Sequence, residues 1–131
     1  EEVAEINGVR YVNDSKATNA SAARRAIASF DEPLHVILGG LGKNESYAEL
    51  AADLRARGVR AYLIGAAAGE LAAAIEQYEL CGDLATAVRA GAAASEPGDV
   101  VLLSPACASY DQFKDYEERG DEFRRLVEGL R

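Results

Sequence analysis

Short apolar runs alternate with helix-patterned segments along the whole chain, and this rhythm constrains its fold more than any other feature of the sequence. EVAEI (2–6) and VRYVN (9–13) flank Asn7-Gly8, a dipeptide suited to a tight hairpin turn. TNASAARRAIASF (18–30) reads as a helix, with Thr18 or Asn19 placed to cap its N-terminus. LHVILGG (34–40) reads as a buried strand ending in glycines. From 46 to 57, Tyr47, Leu50, Ala51 and Leu54 recur at helical spacing until Gly58 stops the run. VRAYLIG (59–65) is the next strand, GELAAAIEQ (69–77) a helix and YELCG (78–82) a weak strand. DLATAVRAGAAAS (83–95) is a helix capped by Asp83, and Pro97-Gly98 makes a turn into the buried strand GDVVLLSP (98–105). The stretch 111–130 is largely helical. Such alternation predicts an α/β fold: a mostly parallel sheet with helices on both faces and an antiparallel hairpin at its N-terminal edge.

At 131 residues the chain is expected to form one domain, 1–131, with a substantial core. A net charge of -8 argues against a general nucleic-acid binder, which needs a basic face, but permits a local basic pocket for a small anion. Cys81 and Cys107 form no CxxC pair, so neither a disulfide framework nor a zinc site is expected. His35, inside LHVIL, is expected to be a packed or hydrogen-bonded core residue. No apolar stretch approaches membrane-spanning length and no signal peptide is visible, so a cytoplasmic protein without a membrane partner is expected. The chain opens on Glu1 and enters a strand at once, which suggests a domain of something longer.

Parallel α/β sheets bind ligands beyond the carboxyl ends of their strands. Three polar clusters fall at such ends: NDSKATN (13–19), GGLGKN (39–44) and SPACASYDQF (104–113), whereas GAAAG (65–69) is bland. GGLGKN is not a phosphate-cradling P-loop, because Ile37 stands where that pattern needs its first glycine and Asn44 where it needs Ser or Thr. Lys43 could still hold an anion as a point charge beside backbone N–H groups, and a turn with a solvated lysine is an equal alternative. In SPACASYDQF, Pro105 breaks the strand and Ser109 precedes the helical pattern. That helix start could hold a carboxylate or phosphate, and simple capping by Ser109 stands beside this reading. Cys107 lacks a histidine base other than His35 and reads as a small packed residue. In NDSKATN, Asp14 can hold a turn, but Lys16 is a cation near a helix N-terminus and opposes the macrodipole. A bound anion would resolve that conflict.

Taken together, NGVRYVNDSKATN, LGGLGKN and LLSPACASYDQFKDYEERGDEF resemble the C-terminal domain of the UDP-N-acetylmuramoyl-L-alanine:D-glutamate ligases, Mur ligases of peptidoglycan synthesis. The resemblance runs in order over nearly the whole chain. Other Mur ligases and folylpolyglutamate synthetases share the fold but not NDSKATN or SPACASYDQF. The resemblance implies a Rossmann-like domain, the last third of a monomeric three-domain enzyme. In that family ATP phosphorylates the carboxylate of UDP-N-acetylmuramoyl-L-alanine, and the amine of D-glutamate attacks the acyl phosphate through a tetrahedral intermediate. Each developing anion needs preorganised positive charge.

Carried over by position, the resemblance gives Asp14 a hydrogen bond to the ATP ribose. It makes Lys16 both a nucleotide-binding and a catalytic residue, the cation facing the transferred phosphate and the intermediate. Thr18, Lys43, Ser109 and the backbone at Tyr116 correspond to the D-glutamate pocket. Many relatives have Phe where Tyr116 stands and Leu or Phe where Tyr110 stands; a backbone contact tolerates the first change. The Walker-type loop, carbamylated lysine, magnesium ligands and UDP site belong to earlier domains and have no match here. ATP and Mg2+ are therefore expected in the full-length enzyme, with no metal ligand in this domain. A His-Arg pair of the family falls just before Glu1. The chain alone is expected to be inactive, a weak D-glutamate or nucleotide binder. The alternatives are another amide ligase of this fold, for instance one acting on glutamate chains, and a noncatalytic α/β binding module whose loops are ordinary caps.

Overall fold

In the computed structural model, which describes residues 1–131, Asn7 and Gly8 both take positive φ angles of 53° and 80°. That pair of angles closes a two-residue hairpin turn, and β1 (Glu2–Ile6) folds back antiparallel on β2 (Val9–Asn13). The chain continues through α1 (Ala20–Ala28), β3 (Leu34–Gly39), α2 (Ala48–Arg57), β4 (Arg60–Ile64) and α3 (Ala68–Ala74). It ends with β5 (Tyr78–Gly82), α4 (Leu84–Ala94), β6 (Val100–Leu103) and α5 (Tyr116–Glu128). The six strands form one sheet in the order β1-β2-β6-β3-β4-β5, parallel except for the β1–β2 edge.

The two-residue period of a strand decides which side chain meets which layer. Val36, Leu38, Leu63 and Leu102 face one side, where Ala23 and Ile27 of α1, Leu50 and Leu54 of α2 and Leu71 of α3 pack on them. Ile37, Tyr62, Ile64, Val101 and Leu103 face the other, against Leu84 and Val88 of α4 and Phe123 and Val127 of α5. Every residue of β6 is buried, as a central parallel strand covered twice requires. The edge strand β5 alternates between exposed and half-buried residues, which explains its weak apolar signal.

The starts of the first and last helices differ from the sequence expectation in ways that bear on the site, and α2 starts at Ala48 instead of residue 46. The first helix begins at Ala20 instead of residue 18, and Asn19 is its cap: Asn19 Oδ1 accepts from the Ala22 N–H at 2.8 Å. Thr18 is thereby released from capping. The last helix begins at Tyr116 instead of residue 111, because Asp115 caps it by accepting from the Glu118 N–H at 2.8 Å. Residues 110–115 form turns before it. Asp83 caps α4 and Gly58, at φ 64°, ends α2, both as expected. His35 is hydrogen-bonded in the core, with Nδ1 2.8 Å from the Tyr62 hydroxyl and Nε2 2.9 Å from Asp99 Oδ2. No helix is long and apolar enough to cross a membrane.

The chain turns back at β6. From β3 it builds outward through β4 to β5, then returns by α4 to insert β6 between β2 and β3. In register, Leu103 at the end of β6 stands beside Asn13 of β2 and Ile37 of β3. The loops NDSKATN, SPACASYDQF and GGLGKN therefore leave three adjacent parallel strands at one edge of the sheet, at the point where the topology reverses.

Candidate functional site

The loop after β2 is wound tightly by its own polar groups. The Asp14 N–H donates to the Leu103 carbonyl at 2.7 Å and its carbonyl accepts from the Ala17 N–H at 2.9 Å. Asn13 Oδ1 accepts from the Ser15 N–H at 3.0 Å. One carboxylate oxygen of Asp14 accepts from the Ser104 hydroxyl at 3.0 Å. Lys16 is exposed, and its ammonium meets no carboxylate and no hydrogen-bond acceptor in the chain.

The loop after β6 runs between the other two and binds both. The Ala106 N–H donates to the Ala17 carbonyl at 2.9 Å, and the Pro105 carbonyl accepts from the Gly39 N–H at 2.9 Å. Leu41 and Ala108 exchange two backbone hydrogen bonds, of 2.8 and 3.2 Å. This close approach requires a glycine at position 40: its φ is +137°, and a Cβ there would lie 2.2 Å from the Ala108 carbonyl oxygen.

The structure brings some of the expected residues together. Lys43 Nζ reaches the Thr18 hydroxyl at 3.5 Å, joining the first and second loops across 25 residues of sequence. Ser109, 2% exposed, sits beside the Leu41–Ala108 contact. It does not start the long helix; its carbonyl accepts from the Gln112 and Phe113 N–H groups at 3.1 and 2.8 Å and opens a separate turn. The Ser109 hydroxyl makes no hydrogen bond within the chain. Tyr116 is the first residue of α5, and its carbonyl accepts from the Ser15 hydroxyl at 2.7 Å. Its half-exposed side chain lines a cleft of about 370 Å³ with Asn13, Asp14, Lys16 and Arg124. A second cleft, of about 510 Å³, opens on the other side of Asp14 and Lys16 toward Asn19 and Arg25. Asp14 and Lys16 thus stand between two clefts, while Thr18 and Lys43 meet separately.

A further groove of about 450 Å³ lies between α1 and α2 and is lined by Arg24, Arg57 and Asp53. It contains no residue of the three loops, and Arg24 is neutralised by Asp53 at 2.7 Å and Glu49 at 3.0 Å.

One residue of the site escaped the reading of the sequence. Arg119 is 1% exposed, and its guanidinium donates to Ser15 Oγ at 2.8 Å, the Ser15 carbonyl at 2.8 Å and the Cys107 carbonyl at 3.0 Å. Burial holds its pKa down to about 10, so it is still a cation at neutral pH. The signal was in the spacing: Arg119, Phe123 and Val127 recur every four residues, so the arginine stands on the apolar stripe of α5. Cys107 is fully buried, the packed residue expected of it, and burial pushes its thiol pKa up. No group of three His, Cys, Asp or Glu side chains is arranged to hold a metal ion.

Comparison with known proteins matches residues 1–107 to the family described as Mur ligase, glutamate ligase domain. A UDP-N-acetylmuramoylalanine--D-glutamate ligase of Sphingopyxis alaskensis is 52% identical over 98% of this chain, which covers 31% of that protein. The ligase of the same name from Escherichia coli O6:H1 is 47% identical over 99% of the chain, which covers 30% of it. The chain thus spans about a third of the length of these curated relatives. A solved domain from Haemophilus ducreyi, attributed to a UDP-N-acetylmuramate:L-alanyl-γ-D-glutamyl-meso-diaminopimelate ligase, matches with a TM-score of 0.63. It covers 97% of this chain and 98% of its own at 13% identity, so the two share a fold. Ser109 and Tyr116 lie beyond the family match but within the stretch aligned with the relatives.

Proposed function

The chain belongs to the Mur ligase family through its glutamate ligase domain, and from that premise we propose that it presents D-glutamate, and part of the ATP site, to a ligase that joins D-glutamate to UDP-N-acetylmuramoyl-L-alanine. The observation that carries the reading is the meeting of Lys43 with Thr18 at 3.5 Å, beside loops that also carry Lys16 and Ser109. A carboxylate is a poor electrophile until phosphorylation by ATP gives it a leaving group. The D-glutamate amine can then attack, and the protein must hold that amine in place and balance the negative charge that accumulates.

Each residue has a part that suits its surroundings. D-glutamate carries two carboxylates and so calls for two clamps. Lys43 with the Thr18 hydroxyl, which Asn19 frees from capping, makes one. The Ser109 hydroxyl and the Tyr116 N–H, the first N–H of a helix and therefore in need of an acceptor, make the other. Asp14 keeps one oxygen on Ser104 and offers the second to a ribose hydroxyl. Lys16, with no internal partner, faces the transferred phosphoryl group and the tetrahedral intermediate. The Mg2+ that accompanies ATP would be held by other parts of the ligase, since no three His, Cys, Asp or Glu side chains of this chain are grouped to hold it. ATP dependence fits a cytoplasmic enzyme, and the chain is taken to act as a monomer.

An NMR amide titration of the chain with D-glutamate, with L-glutamate and D-aspartate as controls, tests the reading. Selective shifts at Thr18, Lys43, Ser109 and Tyr116 are expected. Equal shifts for all three amino acids would favour a generic binding module, and a preference for another amino acid would favour a different ligase of this fold. The chain alone is expected to form no amide bond, and ligation by it in the presence of ATP and D-glutamate would overturn that expectation.

A further inference from the structure

Arg119 is a buried cation with no ion-pair partner; the carboxylate that acts on it, that of Asp111, does so only from beyond ion-pair distance and is itself engaged by the Ala66 N–H. No carboxylate lies within ion-pair distance of its guanidinium, and its hydrogen bonds go to one hydroxyl and two carbonyl oxygens. An unpaired charge taken out of water costs several kcal/mol, and neutral acceptors return only part of it. A residue that served packing alone could be apolar. What Arg119 holds is Ser15, and the hold is complete. The Ser15 N–H goes to Asn13, its carbonyl to Arg119, and its hydroxyl both accepts from Arg119 and donates to the Tyr116 carbonyl.

Gly120, next to Arg119, adds to this. A Cβ at Gly120 would lie 2.8 Å from Asn13 Nδ2, so the glycine lets α5 approach the side chain that braces the Ser15 N–H. The Arg119-Gly120 pair thus grips the loop from two directions.

The consequence falls on the next residue. In a trans peptide the C=O and the following N–H point opposite ways. With the Ser15 carbonyl drawn inward to Arg119 at 2.8 Å, the Lys16 N–H is turned away from the core, and it has no partner within the chain. Lys16 therefore presents two donors, its ammonium and its own N–H, on a residue whose predecessor cannot move.

We propose that Arg119 is the positioning residue for Lys16: by fixing the Ser15–Lys16 peptide it aims the Lys16 N–H and side chain at a bound phosphate group, and its own buried charge adds to the potential there. The inference rests on the reading that Lys16 faces a nucleotide phosphate.

Arg119→Met and Arg119→Lys in this chain test it with two readouts. The first needs no ligand: the one-bond N–H dipolar coupling of Lys16 in an aligned sample, which reports the direction of that bond. The second is the Lys16 amide response to ATP. Arg119→Met is expected to shift the Lys16 coupling while amides of β3 and β4 keep theirs, and to weaken the ATP response by about tenfold, the scale of one charge-assisted hydrogen bond. Arg119→Lys keeps the charge but not the three-pronged donation, and should recover part of the ATP response with the coupling still displaced. A purely structural arginine would lower the melting temperature and leave both Lys16 readouts unchanged in the folded molecules, which would overturn the proposal. If Arg119→Met does not fold, the Lys16 coupling in Arg119→Lys decides it alone. If the parent chain gives no response to ATP, the nucleotide reading fails, while the coupling still decides whether Arg119 orients the peptide.

Discussion

Gly40→Ala should damage the chain far more than Gly42→Ala, although the two glycines share one loop. At Gly40 the backbone has φ +137°, and an added Cβ would lie 2.2 Å from the Ala108 carbonyl oxygen and 3.2 Å from Arg119 Nη1 and Cys107 Cβ. Holding an L-residue in that conformation costs about 1–3 kcal/mol. The clash is with backbone, so the two strands of the contact must part. Separation threatens the 2.8 and 3.2 Å bonds between Leu41 and Ala108, at about 1 kcal/mol each. The sum is about 3–5 kcal/mol, a large part of the roughly 5–15 kcal/mol that holds a domain together. At about 3–5 °C per kcal/mol for a domain of this size, the melting temperature should fall by about 9–25 °C. At Gly42 the nearest atoms to a new Cβ, on Glu70 and Tyr47, are 3.5 Å away. Gly42→Ala should therefore cost no more than about 0.5 kcal/mol. Thermal unfolding followed by circular dichroism, on both variants and the parent, measures this directly. A Gly40→Ala melting temperature within about 2 °C of the parent, or equal losses at both sites, would refute the geometry assigned to these loops.

Other consequences can be checked as simply. Lys43→Met removes an exposed cation whose one contact is Thr18 at 3.5 Å, so the melting temperature should stay put while D-glutamate shifts at Thr18 disappear. The carboxyl of Asp83 is held below its ordinary value chiefly by its hydrogen bond from the Thr86 backbone. A carboxyl with a lowered folded-state pKa stabilises the fold above its unfolded value and loses that contribution as the pH falls through the folded one. Acid melting below about pH 4 should thus be less steep in Asp83→Asn, which keeps an N-cap acceptor but does not titrate; identical acid profiles would count against the cap. With Cys107 fully buried and Cys81 partly exposed, a thiol reagent should label Cys81 first in the folded chain, slowly because burial pushes that thiol up to about 11. Equal labelling rates would contradict the packing around Cys107.

Much of this molecule could be read from the sequence because the elements are marked twice, by period and by punctuation. β6 is apolar at every position and ends at Ser104-Pro105; α4 carries its cap at Asp83; the hairpin carries Asn7-Gly8. What could not be read depends on choices between neighbours. Thr18 and Asn19 can each cap a helix, and the decision goes to Asn19, whose backbone is extended at φ -145° while its side chain reaches the Ala22 N–H. Ser109 and Asp115 both precede apolar periodicity, and Asp115 prevails because its carboxylate accepts the Glu118 N–H. Arg119 was hidden for a different reason. Its surroundings, EERGDEF, look like a solvated helix face, and only the four-residue spacing to Phe123 and Val127 marks it as an inward residue. The acceptors it meets are the carbonyls of Ser15 and Cys107, which no local pattern links to α5.

The exposure of the site cations sets what this chain can do alone. Lys16 and Lys43 lie in water on a chain of net charge -8. A unit charge pair at 4 Å is worth about 1 kcal/mol in bulk water and about 4 kcal/mol at the lower dielectric of a protein surface. Of the two D-glutamate clamps only Lys43 carries a charge, and at the bulk-water value it gives about 1 kcal/mol, short of the roughly 4 kcal/mol that a millimolar dissociation constant represents. The neutral donors of Thr18, Ser109 and Tyr116 can raise the sum only by about 1 kcal/mol each, so millimolar binding is near the limit for the open site. Arg119 is the exception among the three cations, because it is already out of water at 1% exposure. Its field reaches the loop through protein and is screened less than those of the two lysines. A site that relies on two solvated cations and one buried cation therefore gains most when something covers the lysines, and each of their contacts strengthens as water leaves. Tight binding by this chain alone would require one of the lysines to be less exposed than its place on these loops allows.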